Sequence, residues 1–210
     1  MGGLVVTIFY MVRHGETEWS RDGNRYCGRS DIPLTEMGTL QATLLAALLH
    51  KIPFDAAVVS PLTRARNTAI PIVKRLGIDM QDDPRLQEID FGDWEGLTPP
   101  EIEARFPRQW AEWTHDPLKT PAGRSGETAK EVFERMTEVL SEYQHCQNVL
   151  IVSHTTAMRL VMAGTLGMPF RHYRKLEINT GDVYVLNMTN MAEIKWRALN
   201  WLTSPLGVPL

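Results

Sequence analysis

Asn148-Val-Leu-Ile-Val152-Ser-His154-Thr-Thr156 is the stretch that decides the fold. Val149 to Val152 are apolar without alternation, the signature of a strand covered on both faces rather than one with a wet side. Helical periodicity begins at once, from Thr155 to Leu166, so strand and helix are joined by a turn of a residue or two. Outward from here the same pattern recurs twice, in Leu4-Val-Val-Thr-Ile-Phe-Tyr-Met-Val12 and in Ala56-Ala-Val-Val59. Thr35 can cap a helix running to about His50, with Leu40, Leu44, Leu45 and Leu48 on one face, and a second helix runs from about Thr63 to Leu76 before Gly77. Both begin just after a proline, Pro33 or Pro61. Buried strands interleaved with helices predict a three-layer α/β/α domain with a mostly parallel central sheet.

Between residues 98 and 126 the pattern changes. Thr98-Pro-Pro-Glu101 is a capping-box start with proline in the first turn. Phe106, Trp110 and Trp113 follow, then a loop with Pro117, Pro121, Gly123 and Gly126, so this segment reads as a small helical insertion and a candidate lid. Thr128-Ala-Lys-Glu131 makes a second capping box and opens a helix to about Tyr143. The tail has strand-like segments at Lys175 to Ile178, Val183 to Met188 and Ile194 to Leu199, with a turn at Thr180-Gly181-Asp182. No repeat or low-complexity segment interrupts the chain.

The 210 residues are about 1.4 times a typical domain of roughly 150, which predicts one domain over 1–210 with the insertion as its elaboration. An apolar fraction of 43% and a charged fraction of 22% exclude a disordered or fibrous chain. At this length a folded chain buries roughly 70% of its extended surface. The 22 basic and 25 acidic residues give a net charge of −3, no footprint for nucleic acid or an anionic membrane. Met1 to Val12 lacks the basic start of a signal peptide, and no apolar run is long enough to span a bilayer. Cys27 and Cys146 lack a disulfide framework or metal-ligand spacing, which predicts a reducing, cytoplasmic setting. Oligomeric state stays open, a homo-oligomer included.

In open α/β sheets ligands bind beyond the carboxyl ends of the strands. Val12 is followed by Arg13-His14-Gly15-Glu16-Thr17, Val59 by Ser60-Pro61-Leu62-Thr63-Arg64, and Val152 by Ser153-His154-Thr155. Three parallel strands would bring Arg13, His14, Arg64 and His154 to one crevice, and a helix starting at Thr155 would add free N–H groups. That crevice suits a phosphoryl group of charge about −1.5 to −2, balanced by Arg13 and Arg64 without a metal. Guanidinium neighbours disfavour the imidazolium form of His14 and so keep its lone pair for nucleophilic attack. Among the carboxylates of Leu86-Gln-Glu-Ile-Asp-Phe-Gly-Asp-Trp-Glu-Gly96, Glu88 is the preferred proton donor over Asp90, Asp93 and Glu95. His50, His115, His145, His172 and Arg66 read as surface or structural residues, and the methionines as core fillers.

The ordered set Arg13-His14-Gly15-Glu16-Thr17 with Trp19, Pro33-Leu34-Thr35 with Gly38, Ser60-Pro61-Leu62 with Arg64-Ala65, Glu88 to Gly96, Gly126-Glu127, and Ser153-His154 resembles the histidine phosphatase superfamily, in its phosphoglycerate-mutase-like branch. The likeness extends over about residues 5 to 190. It implies that His14 becomes phosphohistidine, that Arg13, Arg64 and His154 bind the phosphoryl group, that Glu88 donates the proton, and that no cofactor or metal takes part. Ser20 stands where the family usually has asparagine, Thr155 replaces a common glycine, and Cys27-Gly28 falls in a loop that approaches substrate in relatives. Ser20, Cys27, Gly28 and Thr155 are therefore candidate substrate-binding residues beside Arg13 and Arg64.

The expected activity is metal-independent hydrolysis of a phosphomonoester, a small phosphorylated metabolite. A cofactor-dependent phosphoglycerate mutase is the alternative, and an inactive phosphate-binding regulatory module a further one. The acidic Glu88 to Glu95 segment is expected to repel a second phosphate and so to favour the phosphatase. Phe106, Trp110, Trp113 and Arg124 are expected to shape the leaving-group side.

Overall fold

The computed structural model describes residues 6–191 and 193–199. β1 (Thr7–Arg13), β2 (Ala56–Val59), β3 (Gln81–Asp82), β4 (Asn148–Ser153), β5 (Val183–Asn190) and β6 (Glu193–Ala198) form one sheet in the order β3-β2-β4-β1-β5-β6. The first four in that order are mutually parallel, while β5 and β6 add an antiparallel ribbon at one side. Leu4 and Val5, the expected start of the first strand, lie outside the described residues.

The unbroken apolarity of β4 is explained by its two coverings. Val149 and Ile151 pack into a cluster with Val132, Met136 and Leu160, while Leu150 and Val152 pack into another with Leu45, Ala69 and Ile72. One face is thus covered by α6 (Ala129–Glu142) and α7 (Thr155–Thr165), the other by α2 (Glu36–Leu49) and α3 (Thr63–Leu76), after a single turn α1 (Glu18–Arg21). The caps are those of the sequence: Thr35 Oγ1 accepts from the Gly38 N–H, and α3 ends on Gly77 at φ 69°.

Two expectations are corrected. Leu40 and Leu44 face solvent, because α2 buries Gly38, Ala42, Leu45, Ala46 and Leu49 instead. Lys175 to Ile178 is not a strand: a 3-10 turn occupies Phe170–Lys175. The carbonyls of Leu176 and Ile178 are then taken by Arg159 Nε (2.6 Å) and Arg13 Nη1 (2.6 Å). The insertion holds two short helices, α4 (Pro99–Arg105) and α5 (Pro107–His115), because Pro107 lacks an N–H to continue the first. Ile102, Trp113 and Ala122 root it in the same buried cluster as α6 and α7.

Candidate active site

The position of His14 follows from main chain. β1 ends at Arg13, and the His14 N–H donates to the Ser153 carbonyl at the end of β4 (3.1 Å). The next residue, Gly15, lies so close to α2 that a Cβ there would meet the Gly38 carbonyl at 2.6 Å, and a Cβ on Gly38 would meet the Glu16 carbonyl at 2.2 Å. Two backbones in direct contact need glycine on both sides. Thr35 locks the contact by donating its N–H to the Glu16 carbonyl (2.9 Å) and its hydroxyl to Glu16 Oε1 (2.8 Å). The Gly15 N–H is held by Thr68 Oγ1 of α3 (2.9 Å).

His14 is 6% exposed. Burial, then the charges of Arg64 and Arg13, hold its imidazolium well below the ordinary 6.5. Its Nδ1 lies 2.7 Å from the Gly15 carbonyl, which can only accept, so Nδ1 carries the proton and Nε2 the lone pair. His154 is also neutral, held well below 6.5 by burial and then by Arg64. Its Nδ1 accepts from Arg64 Nε (3.3 Å), so its Nε2–H donates to Ser60 Oγ (2.7 Å). The two imidazoles lie 5.1 Å apart, centre to centre.

Arg64 is fully buried in the first turn of α3 and has no ion-pair partner among the described residues. Its guanidinium donates to the carbonyls of Cys27 (3.1 Å), Gly28 (2.8 Å) and Ser30 (2.7 Å) as well as to His154. It therefore clasps the loop at residues 27–30 while placing a positive charge behind His14. Glu95 fastens that loop from the other side, accepting from the N–H groups of Gly28 and Arg29 (2.8 and 2.9 Å).

Glu88 is 5% exposed and occupies the start of α7. Its Oε1 accepts from the N–H groups of Ile89 and Ala157 (both 2.9 Å), and its Oε2 from that of Thr156 (2.8 Å). The N–H groups expected to be free for phosphate thus hold a carboxylate instead, the favourable charge for a helix N-terminus. Oε2, which accepts one N–H where Oε1 accepts two, has the freer lone pair.

A cavity of about 290 Å³ opens here. Of the residues singled out by sequence, Arg13, His14, Ser20, Cys27, Glu88 and Thr155 line it; Arg64, His154 and Gly28 sit behind that lining. Arg13 keeps its charge, at about 10 through burial and then the neighbouring charge of Arg159. Burial pushes the Cys27 thiol up to about 11. Ser20 Oγ closes a capping box with Thr17 beneath the wall.

The far side of the cavity corrects the expected leaving-group wall. Trp110 lines it, but Trp113 is fully buried in the core, and Arg124 pairs with Asp93 outside (2.7 Å). Phe106 lies on another surface depression, away from it. Asp90, Asp93 and Glu95 do not line the cavity, so of the four carboxylates Glu88 alone would face a second phosphate directly. Arg25, Tyr26, Arg159, Tyr173 and Arg174 line it instead and were missed. One signal was readable: Arg159 is the only charged residue in α7.

Among the described residues no cluster of three or more His, Cys, Asp and Glu side chains is placed to hold a metal ion, and no helix is long and apolar enough to cross a membrane.

The chain belongs to the histidine phosphatase superfamily (branch 1), whose family model matches residues 9–201. It is 36% identical over 162 residues to the adenosylcobalamin/alpha-ribazole phosphatase of Escherichia coli K12, covering 76% of this chain and 79% of that one. It is 34% identical over 208 residues to a protein named probable phosphoglycerate mutase GpmB from Serratia proteamaculans, covering 94% and 91% of the two. The alpha-ribazole phosphatase of Shigella flexneri, a solved crystal structure, superposes with a TM-score of 0.79 at 32% identity, over 92% of this chain and 96% of the other.

Proposed function

We propose that the chain is a metal-independent phosphomonoesterase that hydrolyses a small phosphorylated metabolite through a phosphohistidine at His14. The observation that carries this reading is a neutral, cavity-lining imidazole whose tautomer is fixed with the lone pair on Nε2. Nε2 attacks phosphorus and forms a P–N bond as the ester P–O bond breaks; the proton on Glu88 Oε2 goes to the departing oxygen. The Glu88 carboxylate then takes a proton from water, whose oxygen attacks the phosphohistidine and releases inorganic phosphate. Arg13 meets the charge on the transferring group from the cavity wall. Arg64 and His154 act from behind, Arg64 by its charge and by holding the loop at residues 27–30, His154 by orienting Arg64. Ser20, Cys27 and Thr155 contact substrate; Gly28 serves through the carbonyl it offers Arg64.

Hydrolysis of p-nitrophenyl phosphate in EDTA, followed by acid quench and mapping of the acid-labile phosphate, tests the reading. Turnover with label on His14, and none in His14→Ala, is expected; unimpaired turnover without such label overturns it. A strict divalent-metal requirement would do the same. The second reading, a mutase, draws support from the Serratia relative and from a cavity in which Glu88 is the only carboxylate among the described residues. Efficient isomerisation of phosphoglycerate with negligible release of phosphate would put it first. The site lies in a chain with no membrane-spanning helix among the described residues, in keeping with a cytoplasmic enzyme.

A further inference from the structure

Arg159 and Arg174 have no role in phosphoryl transfer as derived above, yet both line the cavity and neither pairs with a carboxylate among the described residues. Arg25, which lines the same cavity, is neutralised by Asp22 and Glu101 (2.8 and 3.0 Å). Arg174 is held in place without being satisfied. Its guanidinium lies 4.4 Å from the centre of the Trp110 ring and 5.2 Å from that of Tyr173, and one Nη donates to Tyr26 Oη (3.3 Å). Its Nε is buried with no hydrogen-bond partner, an expensive state for a donor, and Arg13 Nε shares that state. Arg159 donates its own Nε to the Leu176 carbonyl (2.6 Å), which leaves its two terminal nitrogens as an end-on fork.

The charges run in sequence across the cavity. Arg64 and Arg13 act on His14, Arg159 acts on Arg13, and Arg174 acts on Arg159. A phosphoryl group on His14 balances the first pair; on the second, the Glu88 carboxylate acts on Arg159 without forming an ion pair, and neither arginine holds an anion of its own among the described residues. We propose that Arg159 and Arg174 form a second anion subsite that receives a carboxylate on the leaving group, so that the substrates are phosphomonoesters of small carboxylic acids. A planar carboxylate matches a guanidinium fork edge to edge. The aromatic stack on Arg174 keeps that edge preorganised, and the small cavity keeps the two anions a few bonds apart.

The inference rests on the hydrolase reading of the same cavity, and calorimetric binding of non-hydrolysable phosphonates separates the two. Ethylphosphonate and phosphonoacetate differ only in methyl against carboxylate, as do propylphosphonate and phosphonopropionate. The native enzyme should bind the better carboxylated member at least about tenfold tighter than its alkyl partner, the worth of one charge-assisted pair. That ratio should fall to about twofold or less in Arg174→Gln and in Arg159→Gln, and recover in part in Arg174→Lys. Using a ratio within each variant cancels general damage to the fold. Equal binding of both members by the native enzyme, or a ratio untouched by both variants, overturns the subsite and leaves the hydrolase reading standing. Tighter binding of methylenediphosphonate than of either carboxylate overturns the carboxylate in favour of a second phosphate. Binding of none of these compounds overturns the subsite and the hydrolase reading together.

Discussion

At the His14 end of the cavity most polar groups are fixed by backbone: His14 by Gly15 and Ser153, Glu88 by Ile89, Thr156 and Ala157, and Arg64 by carbonyls of the loop at residues 27–30. At the Arg174 end the walls are side chains from widely separated segments, Tyr26, Trp110 and Tyr173, and a buried Nε has no partner at all. The first end is largely preorganised before any ligand arrives, with Arg13 Nε its one buried donor left unmet among the described residues. The second is incomplete, as selection of one ligand over another requires, since an unmet donor penalises whatever fails to satisfy it.

The contrast is broken most severely at His14, the proposed nucleophile. His14→Ala should lower kcat by about three orders of magnitude or more, with far-ultraviolet circular dichroism unchanged. Glu88→Gln should cost about a hundredfold on alkyl phosphates and much less on p-nitrophenyl phosphate, whose leaving group needs no proton. Equal losses on both esters would remove Glu88 from the role of acid. Gly38→Ala, which brings a Cβ to 2.2 Å from the Glu16 carbonyl, should destabilise the fold by about 2 kcal/mol in urea unfolding, a cost of overpacking, and lower activity through the displaced His14.

Acid stability sharpens the same comparison. His14 and His154 bind protons in the unfolded chain below about 6.5 but resist them when folded. Stability is therefore full above that value and declines as pH falls through it, by up to about 1.4 kcal/mol per pH unit for each histidine. Urea midpoints between neutral pH and about pH 5 should show this slope, and His154→Gln should reduce it by roughly half. The smallest effect belongs to the far wall. Trp110→Leu should change the kcat/KM ratio between large and small esters by a few-fold, about 0.5–1 kcal/mol of lost stacking on Arg174, while Trp113→Phe should alter stability and leave that ratio alone.

What could be read from the amino-acid order follows the same division. Val149 to Val152 reported a strand covered on both sides, and Arg13-His14 and Ser153-His154 reported their strand ends, because those signals are local. Thr98, Thr128 and Gly77 marked helix ends for the same reason. Leu40 and Leu44 misled because both faces of α2 carry leucine, and only tertiary packing selects Leu45 and Leu49 for the core. Lys175 to Ile178 misled because arginines from β1 and α7 take its carbonyls, a competition no window of neighbouring residues contains. Tyr26, Trp110, Arg159 and Arg174 share a wall only after folding, so periodicity says nothing of their meeting. Arg64 and His154, expected in the strand-end crevice, gave no hint that they would sit behind its lining with their nitrogens facing each other, Ser60 and a loop.

The meeting of Gly15 with Gly38 means that the His14 ring is located chiefly by peptide planes in direct contact, braced by the hydroxyls of Thr35 and Thr68. None of these braces comes from the opposite wall of Tyr26, Trp110, Tyr173 and Arg174. Libraries that vary the opposite wall can therefore exchange one clientele of esters for another while the ring stays in place, and this corner offers a ready chassis for re-targeting.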